Sequence, residues 1–264
     1  MRPVVALLTD FGTRDHYAGA MKGVILGIAA DVTLVDITHD IPPHDVLVGA
    51  LELAACYKYF PQGTIFVAVV DPGVGSVRRA IAVDTGDHRF VAPDNGVLTL
   101  VLKEAPPRKI VELTERRYAR PTVSRTFEGR DRFAPAAAWL AKGIQLSALG
   151  RPLSDIHHVD VPVPEVSADS VAGVVLRVDR FGNLVTNVDR KTVERFLQGR
   201  PVVITAGAHR IERLVATYAE LPPQGVGALF GSTDHLELAA PSASAAERLG
   251  LGRGTTVTIA RAEP

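Results

Sequence analysis

The sequence predicts an α/β protein in two parts, and three observations predict it. Over residues 4–70, β-branched apolar runs alternate with stretches of helical spacing, the pattern of a parallel sheet with helical crossovers. A proline-spaced stretch, residues 153–169, then breaks every period and reads as a linker. Beyond it, short β-branched runs separated by Gly- or Pro-containing turns suit a small barrel or sandwich. The expected domains are residues 1–152, α/β with a mostly parallel sheet, and residues 170–264, all β.

Taken in order, residues 4–8 read as a buried strand that ends at Thr9-Asp10-Phe11-Gly12. Thr13 or Asp15 is placed to cap a helix whose apolar positions are Tyr17, Met21, Val24, Ile25 and Ile28. Residues 33–38 form a second strand, and Asp45 stands where it can cap a helix over residues 46–59. The third strand, residues 64–70, is apolar throughout and therefore buried on both faces. Residues 79–85 and 89–93 make a hairpin, a helix begins at Asp94-Asn95-Gly96, and residues 109–113 form a strand. An alanine-rich helix covers residues 133–142, with Trp139 assigned to the core. The C-terminal strands are expected at 171–178, 184–188, 201–205, 210–216, 228–231, 236–239 and 255–260.

Composition narrows the functional classes. Lys+Arg and Asp+Glu balance at 29 each, so there is no electrostatic case for nucleic acid or an anionic membrane as partner. The lone cysteine, Cys56, excludes an internal disulfide and suits a buried thiol in a reducing compartment. The first apolar run is short and stops at Asp10, which argues against a signal peptide, and no stretch approaches a membrane span. A soluble, cytoplasmic protein is expected. His157-His158 is rejected as a metal site, because neighbours on a strand point to opposite faces and no partner lies at ligand spacing.

The chemistry concentrates in VVDPGVGSVRR, residues 69–79. Asp71 follows a buried strand, where open α/β sheets place their ligands, and Pro72-Gly73 forces a turn after it. Arg78 can then fold back toward Asp71. Gly73-Val74-Gly75 is not a dinucleotide fingerprint: Arg78 occupies the third glycine position, and a strand follows rather than a helix. No phosphate-binding G-x-x-x-x-G-K-[ST] occurs.

Seven strings occur in register: TDFGTRDHYAGAMKGVI, DITHDIPPHDVLVGA, VVDPGVGSVRR, APDNGVLT, TFEGRDRFAPAAA, VDRFGNLVTNV and GSTDHLELA. Together they resemble the SAM hydroxide adenosyltransferases, hydrolases that convert S-adenosyl-L-methionine (SAM) to adenosine and L-methionine and share a fold with SAM-dependent fluorinases and chlorinases. The resemblance implies an N-terminal α/β sandwich, a smaller C-terminal β-barrel, and a homotrimer with sites between neighbouring subunits. It implies no metal and no cofactor, SAM being the substrate.

Carried over by motif, Asp71 and Arg78 match the water-activating pair, and Asp10 the carboxylate that grips the ribose diol. Asp15 and Tyr17 match positions near the methionine moiety. Asp179, Phe181 and Asn183 fall at methionine and adenine contacts, and Ser232, Glu237 and Ala240 at the adenine edge. One position departs. The family's hydrolases carry histidine in TFHGRD where this chain has Glu128, which therefore joins Asp71 and Arg78 as the third catalytic candidate. A carboxylate there argues against a bound halide. It also motivates an alternative, a SAM- or adenosine-binding protein with little turnover.

Overall fold

A computed structural model describes residues 2–262, and the chain divides into two compact units at Asp160/Val161. The first contains β1 (Val4–Thr9), α1 (Tyr17–Ile28), β2 (Thr33–Thr38), α2 (Val46–Cys56), β3 (Ile65–Val69), β4 (Ala80–Asp84) and β5 (Arg89–Pro93). It continues through α3 (Thr99–Glu104), β6 (Lys109–Leu113), α4 (Ala134–Ala141) and β7 (Gly150–Pro152). Its sheet runs β2-β1-β3-β5-β4-β6-β7. The pairs β2/β1, β1/β3 and β3/β5 are parallel, while β4 lies antiparallel to both β5 and β6. By direction, then, β6 also runs with the first four strands, and only β4 and β7 oppose them.

Alternate residues of each strand face opposite layers. Val5, Leu7, Val67 and Val69 pack with Met21 and Ile25 of α1 and the alanines of α4. Ala6, Leu8, Phe66 and Ala68 pack with Val48 and Leu53 of α2 and Val101 and Leu102 of α3. The result is an α/β/α sandwich, and Ala134, Ala136, Ala137 and Ala138 are buried because short side chains let α4 lie close to the sheet.

Several boundaries differ from the sequence expectation. Neither Thr13 nor Asp15 caps α1. His16 is the N-cap and makes no side-chain cap bond, because Tyr17 is drawn into a ring cluster with Phe11 and Phe127. Asp45 does cap α2, accepting from Val48 N at 3.1 Å, but the α-helix stops at Cys56 and a 3₁₀ turn, Tyr57–Tyr59, follows. The helix after Asp94-Asn95-Gly96 starts only at Thr99. Cys56 is half-buried, with burial pushing its thiol up to about 11. Trp139 is partly exposed, packed edge-on against Tyr118. The proline-spaced stretch is tied down: Leu153 N donates to Ile110 O at 2.9 Å and His157 N to Asp94 Oδ1 at 2.8 Å.

The second unit contains β8 (Glu165–Val166), β9 (Ser170–Val178), β10 (Leu184–Asp189), α5 (Arg190–Leu197), β11 (Val202–Ala206) and β12 (His209–Ile211). It ends with β13 (Gly227–Phe230), β14 (His235–Ala239), α6 (Ala245–Leu249) and β15 (Thr256–Arg261). The antiparallel sheet runs β12-β11-β15-β9-β10-β14-β13, with β8 paired to β9. The strand expected over residues 210–216 ends at Ile211, and the chain beyond it crosses to the other edge. There Leu214 bridges Ala228 of β13, which nearly closes the sheet into a barrel. Val171, Val175, Leu184, Ile204, Leu236 and Ile259 fill its interior.

Candidate active site

The parallel pairs β2/β1 and β1/β3 bring three carboxyl ends to one edge of the first unit's sheet. Thr9 is in register with Val69, so Asp10, one residue past β1, and Asp71, two past β3, emerge side by side. Two successive turns then fold the loop back, with Val74 N donating to Asp71 O at 3.3 Å and Ser76 N to Gly73 O at 3.1 Å. Gly75 sits at φ +77°, and a Cβ there would fall 2.4 Å from Arg125 O, so only glycine fits. Arg78 consequently grips Asp71 in a forked pair, Nε on Oδ1 at 2.9 Å and Nη2 on Oδ2.

Glu128 completes the cluster. The same Arg78 Nη2 donates to Glu128 Oε2 at 2.6 Å, and Arg132 Nη2 lies 3.6 Å from Oε1. The side chains of Arg78, Asp71 and Glu128 are only 10%, 5% and 11% exposed, so the bridge is almost dry. Phe133 lies under the Arg78 guanidinium at 5.3 Å. Burial opposes the charge of Arg78, but the two carboxylates outweigh it and hold the guanidinium more firmly protonated than a free arginine. The arrangement can hold one water against two carboxylates and a permanent cation.

Asp10 accepts His44 N through Oδ2 at 2.8 Å, and His44 takes the left-handed conformation, φ +69°, that aims this N–H. The loops after β1 and β2 are joined further by Gly12 N to His39 O at 2.7 Å. Beneath them, buried His39 links Thr9 Oγ1 at 2.8 Å to Asp36 at 3.1 Å. Asp15 is exposed in the turn before α1. Tyr17 is 39% exposed, with its ring 5.1 Å from that of Phe127, the neighbour of Glu128.

In the second unit, Asp179, Phe181, Asn183, Ser232, Glu237 and Ala240 all line a single cavity of about 700 Å³. Asp179 organises its rim, accepting from Phe181 N at 2.8 Å, Asn183 N at 2.9 Å and Asn183 Nδ2 at 2.8 Å. These bonds fold VDRFGN into a tight turn that leaves the Phe181 ring exposed. On the opposite strand pair, Glu237 is buried and accepts Tyr218 OH at 2.8 Å. Burial raises the Glu237 carboxyl, and burial together with Glu237 pushes the Tyr218 phenol up to about 12. Gly231 makes room for this carboxylate, since a Cβ there would lie 1.8 Å from Glu237 Oε1.

Four contributors were missed from sequence. Arg132 lies just ahead of the expected helix and Phe133 opens it, Tyr218 falls between two expected strands, and Asn95 reads as a helix start. A signal existed for Arg132, because an acid and a base four residues apart share a helix face. Among the described residues no group of three or more His, Cys, Asp or Glu is arranged to hold a metal, and no helix is long and apolar enough to cross a membrane.

Residues 5–150 match the SAM hydroxide adenosyltransferase N-terminal domain, and residues 173–258 match the C-terminal domain. A Thermus thermophilus protein named (R)-S-adenosyl-L-methionine hydrolase is 37% identical, with 98% of this chain and 100% of that protein aligned. A Salinispora tropica protein of the same name is 36% identical over 97% of each chain. A fluorinase of Actinoplanes sp. is 30% identical over 98% of each. Among solved structures, a Thermotoga maritima protein superposes with a TM-score of 0.91 at 34% identity, covering 97% of this chain and 100% of its own.

Proposed function

The chain belongs to the SAM hydroxide adenosyltransferase family, and from that premise we propose how its residues hydrolyse SAM to adenosine and L-methionine. Water oxygen attacks ribose C5′, the C5′–S bond breaks, and its electron pair returns to sulfur. Methionine leaves as a neutral thioether, so the leaving group needs neither an acid nor a metal or redox cofactor. One proton of that water passes to the Asp71 carboxylate and then to solvent, and the other stays on the oxygen as the 5′-hydroxyl of adenosine. Hydroxide and sulfonium lose charge as they meet, and a site that excludes water favours such a step.

The observation that carries this reading is the bridge in which one guanidinium, Arg78, joins Asp71 and Glu128 in nearly dry surroundings. Asp10 supplies a carboxylate for the ribose diol, one oxygen already oriented by His44 N. Asp15 and Tyr17 are assigned to the methionine end. The second unit's cavity, with Asp179, Phe181, Asn183, Ser232, Glu237 and Ala240, is assigned to adenine and methionine contacts. Glu128 disfavours halide as the nucleophile, because a carboxylate repels an anion at that point. The working form is taken to be a cytoplasmic homotrimer, which light scattering on purified protein checks.

The name of these relatives, (R)-S-adenosyl-L-methionine hydrolase, specifies one configuration, so both sulfonium epimers belong in the assay. Each is incubated without added metal or halide, with and without chelator, and adenosine and methionine are separated by chromatography. Adenosine and methionine in equal amounts, unchanged by chelator, are expected. Their absence with both epimers removes the reading, and chelator-sensitive activity restored by one divalent ion removes the mechanism.

A further inference from the structure

We propose that Arg132 is a positioning residue of the catalytic cluster: it faces Glu128 at the oxygen that Arg78 does not use, and so fixes that carboxylate between two guanidiniums. The proposal rests on the hydrolytic reading of the Asp71–Arg78–Glu128 bridge and assigns a further residue to it.

The local backbone is the first argument. Glu128 opens a π-helical turn, Gly129–Phe133, in which the N–H of Ala134 donates to Gly129 O five residues back. In an ordinary α-turn Phe133 would point about 140° away from Glu128. Arg132, four residues on, shares the Glu128 face in either kind of turn and reaches Oε1 at 3.6 Å, and the wider turn adds Phe133 to that face, 5.3 Å from the Arg78 guanidinium. π-turns recur at functional sites because they re-aim side chains that a regular helix would splay. Here one turn supplies the carboxylate, its second cation, and the ring under its first cation.

Charge is the second argument. Arg78 alone faces two carboxylates, Asp71 through both oxygens and Glu128 through Oε2. The charged groups around Glu128 are Arg78, Asp71 beyond it, and Arg132 from its own turn; α1, which packs on this turn, brings uncharged Met21 to Gly129. With Arg132 the cluster holds two positive and two negative charges. Without it, the carboxylates would share one cation and repel across it. Arg132 is 33% exposed, and its outer side lines a separate cavity of about 770 Å³ with Arg116, Arg117 and Arg120. It can therefore hold Glu128 without touching the reacting atoms.

The test compares wild type with Arg132→Met, Arg132→Lys and, from the same cavity, Arg117→Met. The glutamate side-chain carboxyls carry ¹³C, and the Glu128 resonance is assigned by its loss in Glu128→Gln. Without substrate and at neutral pH, that resonance is expected to move in Arg132→Met, the outcome for a carboxylate deprived of one of its two cationic neighbours. Arg132→Lys restores it, and Arg117→Met matches wild type. In turnover, Arg132→Met should lose about tenfold in kcat with KM held within about twofold, and the acid limb of its kcat profile should move upward. An unmoved Glu128 resonance in Arg132→Met overturns the proposal. So does a lower melting temperature with an unmoved pH profile, which would mean packing only. If wild type produces no adenosine, the functional reading fails while the Glu128 resonance still decides the role of Arg132.

Discussion

Asn95, two residues past β5, donates from Nδ2 to the carbonyl of Val70 at 2.8 Å, holding the backbone directly ahead of Asp71. Its Oδ1 accepts Val97 N at 3.2 Å, so the amide is committed at both ends. Val70 is fully buried, and Asn95→Ala leaves its carbonyl unpaired at a cost of about 1–3 kcal/mol. Expected outcomes are a lower melting temperature and a kcat reduced by about tenfold or more at similar KM, since Asp71 loses its fixed origin. A folded variant with wild-type kcat would show that Asp71 is positioned by Arg78 alone.

Glu128 supports a second prediction. Bound to Arg78 Nη2, it draws on the same cation that, in the proposed mechanism, keeps hydroxide available. Turnover is expected to be slow and to rise with pH over a wider range than in a histidine-bearing relative. Glu128→His should increase kcat by about tenfold or more, on the scale of a positioned acid–base group. Loss of all activity in Glu128→Gln, with no gain from histidine, would instead identify Glu128 as the base. Equal turnover by wild type, Glu128→His and Glu128→Ala would place the residue outside the chemistry.

Asp10 is tested by binding. With Oδ2 oriented by His44 N, its carboxylate is prepared to accept two hydroxyl protons. Asp10→Ala should weaken adenosine binding by about 1.5–3 kcal/mol in titration calorimetry. An unchanged Kd removes Asp10 from the sugar site.

Asp131 makes stability depend on pH. Burial opposes its charge, but Arg130, the Ser124 amide and Arg120 outweigh burial and hold its carboxyl below the usual range. A depressed folded-state value means that this stability is present above the ordinary carboxylate range and is lost as pH falls through the depressed value. Asp131→Asn should therefore destabilise by about 1.5–3 kcal/mol near neutral pH, the range for charge-assisted hydrogen bonds. The gap between variant and wild type should narrow in acid, read from urea midpoints across pH. A gap independent of pH would mean that shape, not charge, is what Asp131 contributes.

Much of this protein was legible because it is local. Strand alternation, the Asp45 cap, the Gly86-Asp87 hairpin and the Asp71-to-Arg78 loop each depend on residues within a few positions of one another. Helix α5 is absent from the all-β expectation for the second unit, although its signals are local as well. Asp189 caps it through Thr192 N, and Val193, Phe196 and Leu197 make its buried face, the spacing of an amphipathic helix.

What the sequence alone determined, then, was the order of elements, the carboxylates at the strand ends, the seven motifs and the substitution at Glu128. The tertiary structure alone decided that Glu128 meets Arg78 across 50 residues, that Asn95 braces Val70 across 25, and that Tyr218 closes on Glu237 across 19. It also decided that the stretch after Ile211 crosses to β13 and that Gly129–Phe133 widens into a π-turn. The reason is physical. Propensity and periodicity describe each segment against its own neighbours, whereas a buried charge takes whatever partner the packed layers bring within hydrogen-bond reach.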